Sequence, residues 1–478
     1  MDVQSDVTNR VLSPAAAAGR VDPVADLEFD KAFALLRTLV DFEEVERLHP
    51  SRGNAVYTTI VVLWMLVSQR LNPERSLEAA VKELVENPPD LVPENQRVTG
   101  GTLSLNSGAY SRARARMPGA AARWFAERVS RSLVEASPPS FGGRRVYVMD
   151  GSTILLSPEP ALRKLYPPAS NQHGVGAFPV ANLVVAHELA SGAALIPEVG
   201  AMYGPQAVSE TKLCHQCLKQ FPPDSIAMAD AAYGIFTVAW AAQQAGQRFL
   251  LRLTPQRFKA LKREATLVCE DELSKTWTLD WRPSKQVLRE HPELPKDACI
   301  AVRIHENQIH GGRPLCLITD LTDLTDSADS LADLYERRYD IEIDIRNLKV
   351  VLDTEHILAR SADMFTKELL TSQVAYNLVI QFRRQAAATL GLPPRRLSFK
   401  RTWTTFRTFL LSSLIRDPAS DPADCRERYA RALHYAKYDK LPNRPDRHYP
   451  REAYKQRPKS THFKTRIPPP DPPEENVK

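Results

Sequence analysis

The sequence predicts an α/β protein: a mixed sheet flanked by helices, carrying a β-rich insertion, between helical N- and C-terminal regions. Three observations lead there. Across residues 26–138 the apolar positions recur every three or four residues, the helical period. At residue 139 the texture changes to β-branched and aromatic runs bounded by turn residues. Beyond it the order is three strands, helix, strand, helix, strand, as expected when helices cross over a sheet.

The chain has 478 residues, enough for about three domains at roughly 150 residues each. With 43% apolar and 25% charged residues its composition is that of a globular protein. The net charge of +6 is compatible with an acidic polymer as partner. Six cysteines are sparse for this length and point to a reducing compartment. The N-terminus lacks the basic-then-apolar order of a signal peptide. The longest apolar run, "AVYTTIVVLWMLV" (55–67), falls short of the ~20 residues of a spanning helix and reads as a buried core helix. A cytoplasmic protein without membrane contact is expected.

Residues 1–25 are expected to be disordered, and 26–138 to form a helical N-terminal DNA-binding domain. Within it "KAFALLRTLVDFEEVERL", "SLEAAVKELVEN" and "AARWFAERVSRSLVEA" carry the helical pattern. Residues 139–254 form the first part of a core. "RRVYVMDGSTILLS" is a strand ending near Asp150, and "FPVANLVVAHEL" with "GAALIPEVGAMY" makes a hairpin. A helix over 206–221 leads to the strand "DSIAMAD", ending at Asp230; a helix over 235–245 precedes "RFLLRL". The insertion, 255–325, holds "KTWTLDW", "ACIAVRIHENQ" and "RPLCLITDL". Residues 326–385 complete the core, and 386–467 form a basic helical C-terminal region. Its segment 431–467 sets eleven Arg and Lys against three acids and interleaves five aromatics, a mix suited to phosphates and base faces. Residues 468–478 are a Pro-rich disordered tail.

Asp150 and Asp230 each close an apolar strand of one sheet. Such an acid often only caps a turn, but two of them can bring carboxylates together, and these repel unless a cation lies between. Hard oxygen ligands suit Mg²⁺ or Mn²⁺. A third acid is available in "LYERRYDIEIDIRNLK" (334–349), where Tyr335, Arg338, Glu342 and Lys349 share one face of a continuous helix. There Glu342 would ligate metal while Arg338 and Lys349 neutralise phosphate; Glu336, Asp340, Asp344 and Arg346 lie elsewhere on its surface. The alternative is a salt-bridged surface helix. Arg112, Arg114 and Arg116 alternate in "SRARAR", giving either a DNA-facing edge or a solvated helix face. "CHQC" (Cys214, Cys217) has zinc-knuckle spacing without a second pair, and "HELAS" at His187 lacks a second histidine; both read as structural.

The pattern Y-x-x-R-x-x-x-E-x-x-x-x-x-x-K formed by Tyr335, Arg338, Glu342 and Lys349 resembles the signature of DDE transposases of insertion-sequence family four, the Tn-five-like branch. "RRVYVMDGSTILL" resembles that family's first-Asp block, and "SETKLCHQCLKQFPPDSIAMADAAYG" its second. "GAYSRARARMP" and "RSADMFTKELLTSQVAYNL" are similar to flanking motifs, so the likeness runs through roughly residues 105–400 in order. It implies an RNase H-like core in which Asp150, Asp230 and Glu342 are catalytic and hold two divalent ions, Mg²⁺ or Mn²⁺, for in-line attack on phosphorus. It also implies an insertion aromatic stacked on a flipped base, for which Trp277 or Trp281 is available; both are equally suited to the insertion's core. After the second Asp the family often has a basic residue. Here Ala231 and Ala232 follow, so that contact is missing or comes from Arg252 or Lys212.

The expected function is a transposase that cleaves the ends of its element at inverted repeats and joins them to target DNA. It would act on double-stranded DNA as a homodimer in the synaptic complex. The alternative is a catalytically inactive or domesticated transposase-derived DNA-binding protein.

Overall fold

In a computed structural model the described residues are 34–442, apart from 52, 73, 87–90, 173, 309–313, 356 and 415–421. The segments 1–25 and 468–478, and most of the basic stretch 431–467, lie outside them. Seven helices come first: α1 Ala34–Arg37, α2 Phe42–Leu48, α3 Thr59–Leu71, α4 Leu77–Glu86, α5 Gln96–Thr99, α6 Gly108–Arg116 and α7 Gly119–Glu135. Every residue of α3 is buried, as its unbroken apolar run requires. Thr58 caps it, its side chain accepting from the Val61 N–H. Among the described residues no helix is long and apolar enough to cross a membrane.

The sheet then begins with β1 Val146–Leu155, followed by α8 Pro160–Leu165, the short pair β2 Ser170–Asn171 and β3 Gly174–Val175, and the hairpin β4 Val180–Glu188 and β5 Glu198–Ala201. Next come α9 Glu210–Leu218, β6 Ile226–Ala229, α10 Phe236–Gln244 and β7 Arg248–Arg252. The insertion supplies α11 Pro255–Lys262, β8 Thr266–Glu270, β9 Ser274–Trp281, α12 Lys285–Glu290, β10 Ile300–Asn307 and β11 Leu315–Thr319. The chain continues through α13 Ala328–Glu336, α14 Tyr339–Arg346, a π-helical turn Asn347–Val351, α15 Ala362–Thr389, α16 Phe399–Leu414 and α17 Pro422–Tyr435.

Nine strands form one sheet in the order β5-β4-β1-β6-β7-β11-β10-β9-β8. β1 pairs antiparallel with β4 and parallel with β6, and β6 parallel with β7. Three consecutive antiparallel strands followed by two parallel ones reached through helices make this an RNase H-like mixed sheet. The insertion adds no second layer: β11 pairs with the free edge of β7, and β10, β9 and β8 extend the same sheet.

Strand alternation sorts the core into two faces. Tyr147, Met149, Ala227, Ala229, Phe249 and Leu251 face one way, into the main core with α9, α10 and α15. Val146, Val148, Ile226, Met228 and Leu250 face the other, beneath Leu331, Leu334 and Tyr335 of α13 and Ile341 of α14. β1 runs five residues past Asp150 because β4 pairs with it as far as Leu155. Asp150 is therefore mid-strand rather than at a strand end.

Candidate active site

The parallel register sets Val148 beside Met228, so two residues further Asp150 stands beside Asp230 where the β1–β6 ladder ends. Alternation puts both carboxylates on the face covered by α13 and α14. One oxygen of each is fixed by nearby backbone: the Gly151 N–H donates to Asp150 Oδ1 at 2.8 Å, and the Ala232 N–H to Asp230 Oδ1 at 2.8 Å. From α14 comes Glu342, whose Oε1 accepts from Arg338 Nη2 at 2.5 Å. Arg338 Nη1 lies 3.7 Å from Asp150 Oδ2, so one guanidinium bridges Asp150 and Glu342.

This cluster has more acid than base. Burial, with the charges of Asp230 and Glu342, raises the Asp150 carboxyl to about 6, against the opposing pull of the Gly151 N–H and Arg338. Tyr335 lies buried alongside, its titration pushed upward by burial and its hydroxyl without a hydrogen-bond partner among the described residues. A Cβ on Gly151 would lie 2.4 Å from the Glu210 carboxyl carbon, so a side chain there would displace that carboxylate.

The presumed single helix is broken. Between α13 and α14 the amides of Arg337, Arg338, Asp340 and Ile341 donate to carbonyls three residues back, a tighter winding that rotates α14 relative to α13. Past Arg346 the winding loosens into the π turn, and Lys349 pairs with Glu355 at 3.1 Å instead of joining the acids. Asp344 is also not a surface group, and Asp340 is half-buried beside it. Asp344 is 1% exposed and bound by Arg395, whose Nη2 and Nη1 donate to its two oxygens at 2.8 and 3.2 Å. The same guanidinium lies 3.3 Å from Asp340 and donates from Nε to the Leu189 carbonyl at 3.0 Å. His187 Nδ1 is 3.7 Å from Asp344. Sequence reasoning missed this clamp; its only local signal was two acids four residues apart.

Trp277 and Trp281 belong to the core, at 6% and 7% exposure. Trp277 packs edge-on against Phe258 with Lys262 over its ring, and Trp281 edge-on against Phe236. Neither indole offers a free face to a base in this arrangement. The three arginines of "SRARAR" do not form one edge, because they lie on helix α6, where alternate positions point roughly 200° apart. Arg112 and Arg116 are exposed together, while Arg114 turns inward to Glu368 at 2.6 Å. Near Asp230, Arg257 donates to the Ala231 carbonyl at 2.7 Å, and Arg252, the residue after Leu251 in the register that pairs Leu251 with Ala229, stands on the same face as Asp230 and acts on Tyr335 together with it. Cys214 and Cys217 are buried on α9 with thiols pushed up by burial, as inert core residues.

Among the described residues no three acids, histidines or cysteines stand at metal-ligand spacing. The cation between Asp150 and Glu342 is the Arg338 guanidinium. The donor set still fits a divalent ion in kind: three hard carboxylates, with negative charge that one arginine leaves unmatched.

A family described as the transposase DDE domain matches residues 141–378. The chain is also similar to the transposase InsG for insertion sequence element IS4 of Escherichia coli K12, with 23% identity over 403 residues, covering 83% of this chain and 85% of that protein. Among solved structures, a piggyBac transposase synaptic complex with hairpin DNA aligns over 84% of this chain and 85% of its own, with 9% identity and a TM-score of 0.40.

Proposed function

The chain belongs to the DDE transposases of the insertion-sequence-four family, and from that premise we propose that Asp150, Asp230 and Glu342 are the acids of its active site. It is an enzyme of DNA cleavage and strand transfer; the reading adds its substrate and its chemistry. The substrate is double-stranded DNA, first the inverted repeats of the element and then the target, held by two copies of the chain.

The register of β1 on β6 carries this reading, because it sets two carboxylates side by side under the helix that bears the third. Asp150, Asp230 and Glu342 would hold two divalent ions, Mg²⁺ or Mn²⁺, which when bound would supply activation of an attacking hydroxyl and stabilisation of the leaving oxygen. The chain's own groups do the rest. The Gly151 and Ala232 amides hold Asp150 and Asp230 in place, so little reorganisation is left for the moment of reaction. Arg338 keeps Asp150 and Glu342 at working distance in the resting site and contacts a substrate phosphate oxygen when cations bind the acids. Lys349, Arg112 and Arg116 contact the phosphate backbone.

The test is cleavage of DNA bearing the element ends. Asp150→Ala, Asp230→Ala and Glu342→Ala each abolish Mg²⁺-dependent cutting and keep end binding. Robust cutting by any one of the three sinks the assignment.

A further inference from the structure

A second site lies away from the acids. Between α3, α4 and α6 on one side, and residues 358–360 with the start of α15 on the other, is a cavity of about 520 Å³. Four arginines line it: Arg70, Arg75, Arg114 and Arg360. The lining acids, Glu78 and Glu368, are already engaged, Glu78 with the Ser107 hydroxyl at 2.7 Å and Glu368 with Arg114, and the exposed Arg360 lies 3.6 Å from Glu159.

Arg70 and Arg75 are under-matched. Arg70 is 8% exposed and its Nη1 donates to the Asp353 backbone carbonyl at 2.9 Å. Arg75 pairs with the Asp353 carboxylate, yet its buried Nε has no acceptor among the described residues. Burial, with Arg75 alongside, lowers the Arg70 guanidinium to about 10 against the opposing pull of Glu368 and Asp353. Arg70 and Arg75 share one residue, Asp353, between them, which leaves the buried Arg75 Nε as a donor still open to an anion entering the hollow. Arginine forks match phosphate oxygens, and the apolar wall of Leu66, Leu77 and Met364 suits a sugar or base attached to one.

We propose that this cavity binds the phosphate group of a nucleotide, between the N-terminal helices and the segment that follows the π turn. That the nucleotide belongs to a DNA strand rests on the transposase reading; a free nucleotide offers the same chemistry.

The experiment uses the full chain, with dAMP and inorganic phosphate as probes in calorimetry and an element-end duplex for the salt dependence of binding. Ala115→Glu adds a carboxylate at an exposed lining position while leaving every arginine in place. Ala115→Glu and Arg75→Gln each weaken dAMP by about tenfold or more, and Ala115→Lys does not. If the duplex salt slope also falls by roughly one unit, the phosphate is the strand's. An unchanged slope with weakened dAMP keeps the site and makes the free nucleotide its occupant. Absence of dAMP binding to the unaltered chain, or equal weakening by Ala115→Glu and Ala115→Lys, overturns the proposal. Asp150→Ala, which abolishes cutting, leaves dAMP binding as it was, so the two readings fail separately.

Discussion

Asp344 and Glu342 sit two residues apart on α14, yet the first side chain is 1% exposed and the second 45%. They point to opposite sides of the helix and meet arginines under different terms. On the far side Arg395 binds the enclosed Asp344 with two hydrogen bonds and sits beside the half-buried Asp340. On the near side Arg338 is divided between Asp150 and Glu342 with Asp230 close by. Burial alone would raise both Asp344 and Asp150. Arg395 and His187 hold Asp344 below its ordinary value, whereas Asp150 stays at about 6. One helix thus separates an acid that its arginine holds ionised from an acid that its arginine only partly matches.

The comparison breaks most readily at its near side. Asp150→Ala is expected to lower cleavage more than about a thousandfold. It leaves thermal stability level or slightly higher, because a poorly matched charge is gone. A large fall in melting temperature would place Asp150 among the anchors instead. At the far side Arg395→Met strands a buried carboxylate and costs about 3–5 kcal/mol of stability. Differential scanning calorimetry against Arg338→Met, whose loss is about 1 kcal/mol or less, measures the contrast.

Salt sharpens it further. Arg338→Ala and Lys349→Ala should each make binding of cleaved ends less salt-dependent, by roughly one unit of slope. Arg395→Lys, being remote from DNA, should leave the slope alone. An unchanged slope for both variants would leave Arg338 and Lys349 as members of salt bridges within the chain.

The smallest expected effect is in pH. Asp150 has a raised value, so the metal-free fold loses stability as pH climbs from 3.8 to about 6, and Asp150→Asn removes that loss. Asp344 has a lowered value, so its contribution is present above the ordinary carboxylate range and fades as pH falls below it. Melting temperatures in chelator, from below pH 3.8 up to about 6, should show Asp150→Asn flattening the upper part of the profile and Asp344→Asn the lower part.

The near side was legible in the sequence because its cues are local. An acid inside an apolar strand shows in its neighbours, and strand parity decides which face it takes. The far side was not, because Arg395 lies some fifty residues beyond Asp344 and a buried i, i+4 acid pair looks like a solvated stripe until its partner is known. Helical spacing assumed one winding from Tyr335 to Lys349, and both the tightened turn at Arg337–Arg338 and the π turn violate that assumption. Trp277 and Trp281 could not be placed by type, since an indole suits a core and a base face equally. Nor does a strand pattern reveal which sheet edge it joins, so the insertion read as a separate region.

That junction has a practical bearing on shortened forms of the enzyme. β11 supplies the hydrogen bonds along the outer margin of β7, whose Phe249, Leu250 and Leu251 are wholly buried. Excising 266–319 would leave that margin bare, an open template for another chain to pair with. Any minimal catalytic fragment must therefore keep these strands or replace them with a cover; a protein trimmed at the insertion's ends is expected to precipitate rather than to work more slowly.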